Sequence, residues 1–311
     1  MLKCLAKSVL DIDTSALDCV QANLAAAANA THRTHYCDVL GAWLRFRPRA
    51  AQPGELSYEP ALVTIEPTLG ERLIAADRLL GLEHTEPHSC ASRQELIDRL
   101  SEDWQLVVAD AFELPWVPYF GHTHTSHSFL LRKTEGVIEL TDAYSNQTPW
   151  GQAVPTTWTL TRLMIEALLP DGLCTAVTLW SGRIGELNPY KEISQTLDDL
   201  VGALRDGRIE GYIDAYANHP DQVVALTKFT VETWLLARQR MAHARWLSRF
   251  TAADAARAHA ERWAEAAEAT YVAMRRVTRG RPVPDGVVNR IGDLLAQDQA
   301  VIRGCALAVS S

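Results

Sequence analysis

The feature that most constrains this chain is a change of texture near residue 185. Before it, short β-branched or apolar runs alternate with helical segments, whereas almost everything after it reads as helix. With 311 residues, 47% of them hydrophobic, there is enough apolar material for two cores. The expected architecture is α+β, with a mixed first domain over 1–183 and a helical second domain over 184–311. In the first, "LDCVQANLAAAANAT" (17–31) is an alanine-rich helix with Asp18 as N-cap. "ALVTIEP" (61–67) is a strand bounded by proline, and "SRQELIDRL" (92–100) is a helix behind a serine cap. "WQLVVADAF" (104–112) is continuously apolar, as a strand covered on both faces should be, and "LCTAVTLW" (173–180) adds another strand. Between them "SFLLR" and "GVIELTD" pair as a hairpin across "KTEG". The second domain opens with an amphipathic helix over 188–207. Two long helices follow, about 221–249 and 252–278, the second started by a Thr251–Asp254 capping box and stopped by Gly280 and Pro282. Phe229, Trp234, Trp246, Trp263, Tyr271 and Met274 read as their core.

Several function classes drop out. A formal charge of −8 argues against a nucleic-acid binder, which carries a basic excess or stripe. Without an apolar run of 18 residues or a long hydrophobic leader, the chain is expected to be cytoplasmic. Its six cysteines contain no CxxC pair, so neither a disulfide framework nor a zinc finger is suggested. The lack of a glycine-rich phosphate loop removes support for nucleotide binding.

Chemistry concentrates in "FGHTHTSHSFLL" (120–131). His122, His124 and His127 approach the His-x-His-x-Asp-His spacing of metallo-β-lactamase-like hydrolases, but Ser126 stands where the metal-binding aspartate belongs. A strand-like segment follows His127 at once, and the only later histidines, 219, 243 and 259, fall in the helical half. The alternative is His127 acting as the base for a nucleophilic thiol, which requires a polar partner to orient the imidazole. A two-residue turn at Thr134–Glu135 would put Asp142 directly across from His127, on the same face. Glu139 would then point to the other face, and it is the reserve orienter should the turn length differ by one residue. Among the cysteines, Cys19 stands at the first position of a helix, where free amides and the helix dipole favour a thiolate and can hold an oxyanion. The adjacent Asp18 charge opposes that thiolate unless something absorbs it. Cys90, before the 92–100 helix, is the reserve nucleophile.

With "DCVQANLAAA", "VVADAFELPWVPYFG" leading into "SHSFLL", and an aspartate fifteen residues after the histidine, the chain resembles the amide-forming acyltransferases of butirosin biosynthesis and the wider papain-like cysteine peptidases. The likeness covers roughly residues 15–150. The helical remainder, overall size and alanine and arginine content resemble the condensing enzymes of lincosamide antibiotic biosynthesis. The resemblance implies a papain-like catalytic domain with an antiparallel sheet. It also implies a Cys19–His127–Asp142 triad and, with no cofactor, amide formation between a carrier-protein-bound proline-type aminoacyl thioester and an amino-thiooctose.

The glutamine that papain-like peptidases place shortly before their cysteine has no counterpart in "DIDTSALDC". Gln21 or Asn23 would have to serve the oxyanion instead, and a thioester asks less of that site than an amide does. Trp116, Tyr119 and Phe120 are expected to wall the acyl pocket. Arg238, Arg240, Arg245 and Arg249 are expected to meet the acidic surface of a carrier protein. Competing readings are a cysteine peptidase or thioester hydrolase on the same triad, a zinc hydrolase at the three histidines, and a non-catalytic binding protein.

Overall fold

The computed structural model describes residues 10–32, 37–51, 59, 62–185 and 187–309. The chain divides into two compact units, residues 1–37 with 67–186 and residues 38–66 with 187–311. The first unit is thus not the continuous 1–183 expected, because the segment 38–66 belongs with the helices. Contacts between residues far apart in sequence hold it there. Trp43 donates to Glu192 at 2.7 Å, Arg47 to Asp199 at 2.8 Å, and the Glu232 carboxylate accepts from both Thr64 Oγ1 and the Ile65 amide at 2.7 Å.

The first unit is α+β. Its helices are α1 (Cys19–His32), α2 (Leu69–Leu80), α3 (Arg93–Asp98) and α4 (Arg162–Leu168). Its main sheet has strands β1 (Leu82–His84), β2 (His88–Cys90), β3 (Trp104–Asp110), β4 (Ser126–Thr134), β5 (Val137–Asp142), β6 (Thr156–Leu160) and β7 (Cys174–Ser181). They run antiparallel throughout in the order β6-β5-β4-β3-β7, with β1 and β2 pairing successive stretches of β7. Strand alternation sends Val107, Ala109, Phe129, Leu131, Ile138 and Leu140 to one face, where they form a core with Leu96, Leu114 and Leu160. Leu106 and Leu130 point the other way and are equally inaccessible, so the sheet is covered on both faces, and this explains the unbroken apolar run in β3. Helix α1 covers the second face, with Ala22 and Ala25–Ala28 fully buried, and its small side chains let the helix come close to the strands.

The β4–β5 hairpin turns at Glu135–Gly136, one residue later than expected. Both residues have positive φ, 52° and 81°, as a tight primed turn requires. Thr134 therefore pairs with Val137 and Leu130 with Thr141. The pairing slips by two positions against the expected one, an even number, so the residues facing each side are unchanged.

The second unit contains α5 (Pro189–Arg205), α6 (Arg208–Ala217), α7 (Gln222–Leu247), α8 (Asp254–Val277) and α9 (Val287–Val309), with a short antiparallel pair, Arg49–Ala50 and Val63–Thr64. That pair is all the strand the described part of 61–67 makes; residue 61 lies outside the described residues. Phe229, Trp246 and Trp263 are fully buried, while Trp234, Tyr271 and Met274 are half-buried. The expected capping box at Thr251 does not form. Ala253 is the N-cap of α8 without a side-chain bond, and Asp254, now the first helical residue, pairs with Arg257. No helix among the described residues is long and apolar enough to cross a membrane.

Candidate active site

Helix α1 presents Cys19 at its first position. Its N-cap is reciprocal: Asp18 Oδ1 accepts from the Gln21 amide at 2.9 Å, and Gln21 Oε1 accepts from the Asp18 amide at 3.3 Å. The other carboxylate oxygen, Asp18 Oδ2, accepts from Arg72 Nη1 of α2 at 2.6 Å, with both residues buried. This buried cation offsets the charge that would oppose a thiolate next door. Of the four cysteines whose side chains are described, Cys19 is half-accessible while Cys90, Cys174 and Cys305 are buried. Cys4 and the side chain of Cys37 lie outside the described residues.

His127, 2% exposed, sits near the start of β4. Its Nε2 donates to Asp142 Oδ2 at 2.7 Å, which leaves Nδ1 for the Cys19 thiol, whose interaction with the ring favours the protonated form. Asp142, 4% exposed, also accepts from Trp116 Nε1 at 3.0 Å and, through Oδ1, from the Tyr144 amide at 3.0 Å. Three donors fix its orientation. Burial alone would push the proton off His127, but the Asp142 charge and hydrogen bond outweigh it and Cys19 adds to them, so the imidazole titrates well above the usual histidine range. The thiol therefore faces a ring that readily carries a proton. Tyr144 packs edge-on against that ring, with centroids 5.4 Å apart.

Asn23, one turn into α1 and 0% exposed, is tied to all three neighbourhoods. Its Nδ2 donates to the Ser128 carbonyl at 2.7 Å and to the Cys19 carbonyl at 3.0 Å, and its Oδ1 accepts from the Ala143 amide at 2.9 Å. Those are the residue after His127, the cysteine itself and the residue after Asp142. Such engagement gives Asn23 a positioning role in place of the expected oxyanion role. Gln21, whose carbonyl caps the helix, is likewise occupied at that end.

Other expected residues fall elsewhere. Glu139 accepts from Arg132 at 2.9 Å on the opposite face from Asp142, so it cannot orient His127. Trp116 is a donor to Asp142, packed edge-to-face on Phe129 at 5.1 Å, and Tyr119 is edge-on to Trp150. Phe120 is 49% exposed. The three histidines diverge: His122 stacks on Trp150, His124 stacks on Phe112 and bonds Asp110, and only His127 turns inward. Cys90 is fully buried, and burial with the Glu95 charge pushes its thiol up, which unsuits it as nucleophile. Arg240 is buried against Asp298 and unavailable to any docking surface, Arg238 lies over Trp234 and Arg245 is half-buried, so Arg249 is the exposed member of that set. Arg72 and Tyr144 were not anticipated, since nothing local in "GERLI" or "DAYSN" signals a partner more than fifty residues away or a ring above the histidine. In comparison with known proteins, the chain matches no protein-family model and no curated protein sequence.

Proposed function

We propose that the protein is a cysteine-dependent acyltransferase that forms an amide from a carrier-protein thioester. The observation carrying this reading is the chain of contacts from the Cys19 thiol through His127 to Asp142, in a setting that keeps the ring protonated and the aspartate fixed. A helix-borne cysteine facing a histidine and an aspartate on an antiparallel sheet also supports the papain-like likeness. Cys19 sulfur attacks the thioester carbonyl, its thiol proton having passed to His127. The tetrahedral oxyanion is held by the first amides of α1, those of Cys19 and Val20, because the Gln21 amide is committed to Asp18 Oδ1 and Asn23 Nδ2 to the Ser128 carbonyl. As the intermediate collapses, the carrier's pantetheine sulfur leaves with the proton from His127. The amine then attacks the acyl-cysteine, His127 takes its proton, and the amide departs as the thiol is restored.

The resemblance supplies the partners: an acyl carrier protein bearing a proline-type aminoacyl group, and an amino sugar of the thiooctose class. Hydrolysis by the same triad is the second reading, and it is favoured only if water reaches the acyl-cysteine as readily as the amine does. Product analysis with a carrier-bound prolyl thioester separates them. Amide should appear with the amine present, and little free acid should be released without it. Rapid release of free acid without amine, unchanged by adding it, would make the protein a thioester hydrolase.

A further inference from the structure

A second cluster of reactive side chains lies on the same sheet, away from the triad. His88 and Cys90 are alternate residues of β2 and project to one face. Cys174, the first residue of β7, stands opposite Cys90 in register, and the two thiols influence each other's ionisation. Helix α3 closes the group: Glu95 Oε1 lies 2.9 Å from His88 Nε2, while its Oε2 accepts from the Ala91 amide at 2.8 Å. One ligand atom each from His88, Cys90 and Glu95 lie within 4.8 Å of one another, the only such trio among the described residues. Both thiols are buried, whereas the His88 and Glu95 side chains are each 40% exposed, so the group is reachable from solvent.

We propose that His88, Cys90, Glu95 and Cys174 form a structural site for a zinc-class divalent cation. Two sulfurs, one imidazole and one carboxylate are a donor set suited to tetrahedral zinc. Bonds of about 2.3 Å to sulfur and 2.0–2.2 Å to nitrogen and oxygen place such donors roughly 3.3–3.8 Å apart. His88, Cys90 and Glu95 close to that by modest swings of the two half-exposed side chains, which exchange their mutual hydrogen bond for metal bonds, while the Cys174 sulfur, outside the 4.8 Å trio, has to turn toward it to complete the set. Glu95 Oε2 retains the Ala91 amide as an outer support. The step balances: the cation binds, both thiols become thiolates, and two protons pass to solvent, so the net charge of the site is unchanged. A Cys90–Cys174 disulfide would need an external oxidant and would leave His88 and Glu95 without a role.

The site does not take part in the acyl transfer. Register sets Thr175 against Val108, so Cys174 continues the row beside Ala109, which pairs with His127. Cys90 is thus three strands from His127, roughly 14 Å at sheet spacing. The cation would clamp the start of α3 to β2 and β7 at the sheet edge.

The test is zinc content of the untagged full-length protein after loading with zinc chloride and exhaustive dialysis. We expect about one zinc per chain with about two protons released per metal bound. Cobalt in its place should give a thiolate charge-transfer band. Loss of even an outer partner lowers affinity roughly 10–100-fold, so His88→Ala and Cys174→Ser should weaken binding at least that much, while Cys19→Ala keeps full stoichiometry. His88 is partly exposed, so its variant stays informative if the cysteine variant does not fold. Absence of retained zinc, undiminished binding in His88→Ala, loss of metal on His124→Ala instead, or a Cys90–Cys174 disulfide in the peptide map would each overturn the proposal. None of these outcomes bears on the triad.

Discussion

Asp142 does more for the site than its place in the sequence suggests. It takes hydrogen bonds from His127, Trp116 and the Tyr144 amide, and its charge is the main influence keeping the imidazole protonated against burial. Asp142→Asn removes that charge while keeping the shape. The alkaline limb of the kcat/KM pH profile should then move to lower pH, and kcat/KM should fall by roughly 10²–10⁴, as loss of an orienting carboxylate does elsewhere. A raised histidine pKa also has a stability signature. The His127 contribution is complete below the ordinary value of about 6.5 and is lost as pH rises through the elevated folded value. Thermal unfolding of wild type against Asp142→Asn across the alkaline range should show the difference closing as pH rises. Asn23→Ala would leave the Ala143 amide and the Ser128 carbonyl unsatisfied in the interior. A loss of about 2–4 kcal/mol in urea unfolding is expected, together with a lower kcat. At this scale Cys19, His127 and Asp142 were legible from cap position and strand parity. Asn23 was read as an oxyanion donor, because a sequence shows that an amide is near a cysteine but not which backbone groups claim it. Trp116 was read as a pocket wall for the same reason: its indole N–H finds a partner only through the tertiary fold.

The β4–β5 hairpin shows how an element can be misplaced and still orient its residues correctly. Its turn lies at Glu135–Gly136 instead of Thr134–Glu135, and a slip of two leaves His127 and Asp142 on one face and Glu139 on the other. The glycine is the signal that locates it, since positive φ at both central positions is what a primed two-residue turn demands. Gly136→Ala meets open space for its Cβ yet must hold φ at 81°, so it should cost about 1–2 kcal/mol in thermal or urea unfolding with kcat nearly unchanged. Long elements were legible for different reasons: β3 as an unbroken apolar run covered on both faces, α7 by its length, and α8 by the helical period that burial of one side imposes. The short strands β1, β2 and β6 were not, since three to five residues carry no period and their pairing is decided by distant strands. Helix α2, absent from the expected elements, does carry a local signal, since Thr68 and Glu71 of "TLGE" form a full capping box.

Across the whole molecule, pH acts on two buried groups of the second unit in opposite senses. Burial raises the Glu232 carboxyl to about 7, despite its bonds to Ile65 and Thr64. Burial lowers His243 to about 4, and its Nδ1–H donates to the Gly41 carbonyl at 2.7 Å. A raised carboxyl favours folding below about pH 4.3 and loses that contribution as pH climbs toward 7. A lowered histidine favours folding above about 6.5 and loses that contribution as pH falls toward 4. The two slopes largely cancel, so these two groups together add little net pH dependence in this window. Glu232→Gln removes one of them, and its urea-unfolding free energy should rise relative to wild type by on the order of 3 kcal/mol between pH 4.5 and 7. Neither the discontinuous first unit nor this balance could be read along the chain, because segment 38–66 is claimed by residues such as Glu192, Asp199 and Glu232, all more than a hundred positions away. The enzymatic proposal, by contrast, depends on one pair. Amide formation from the carrier-bound thioester, compared among wild type, Cys19→Ala and His127→Ala, each with its fold checked by circular dichroism, tests it most directly. Losses of about 10³-fold or more in both variants are predicted; a folded variant of either kind that keeps its rate within about tenfold of wild type would contradict the account.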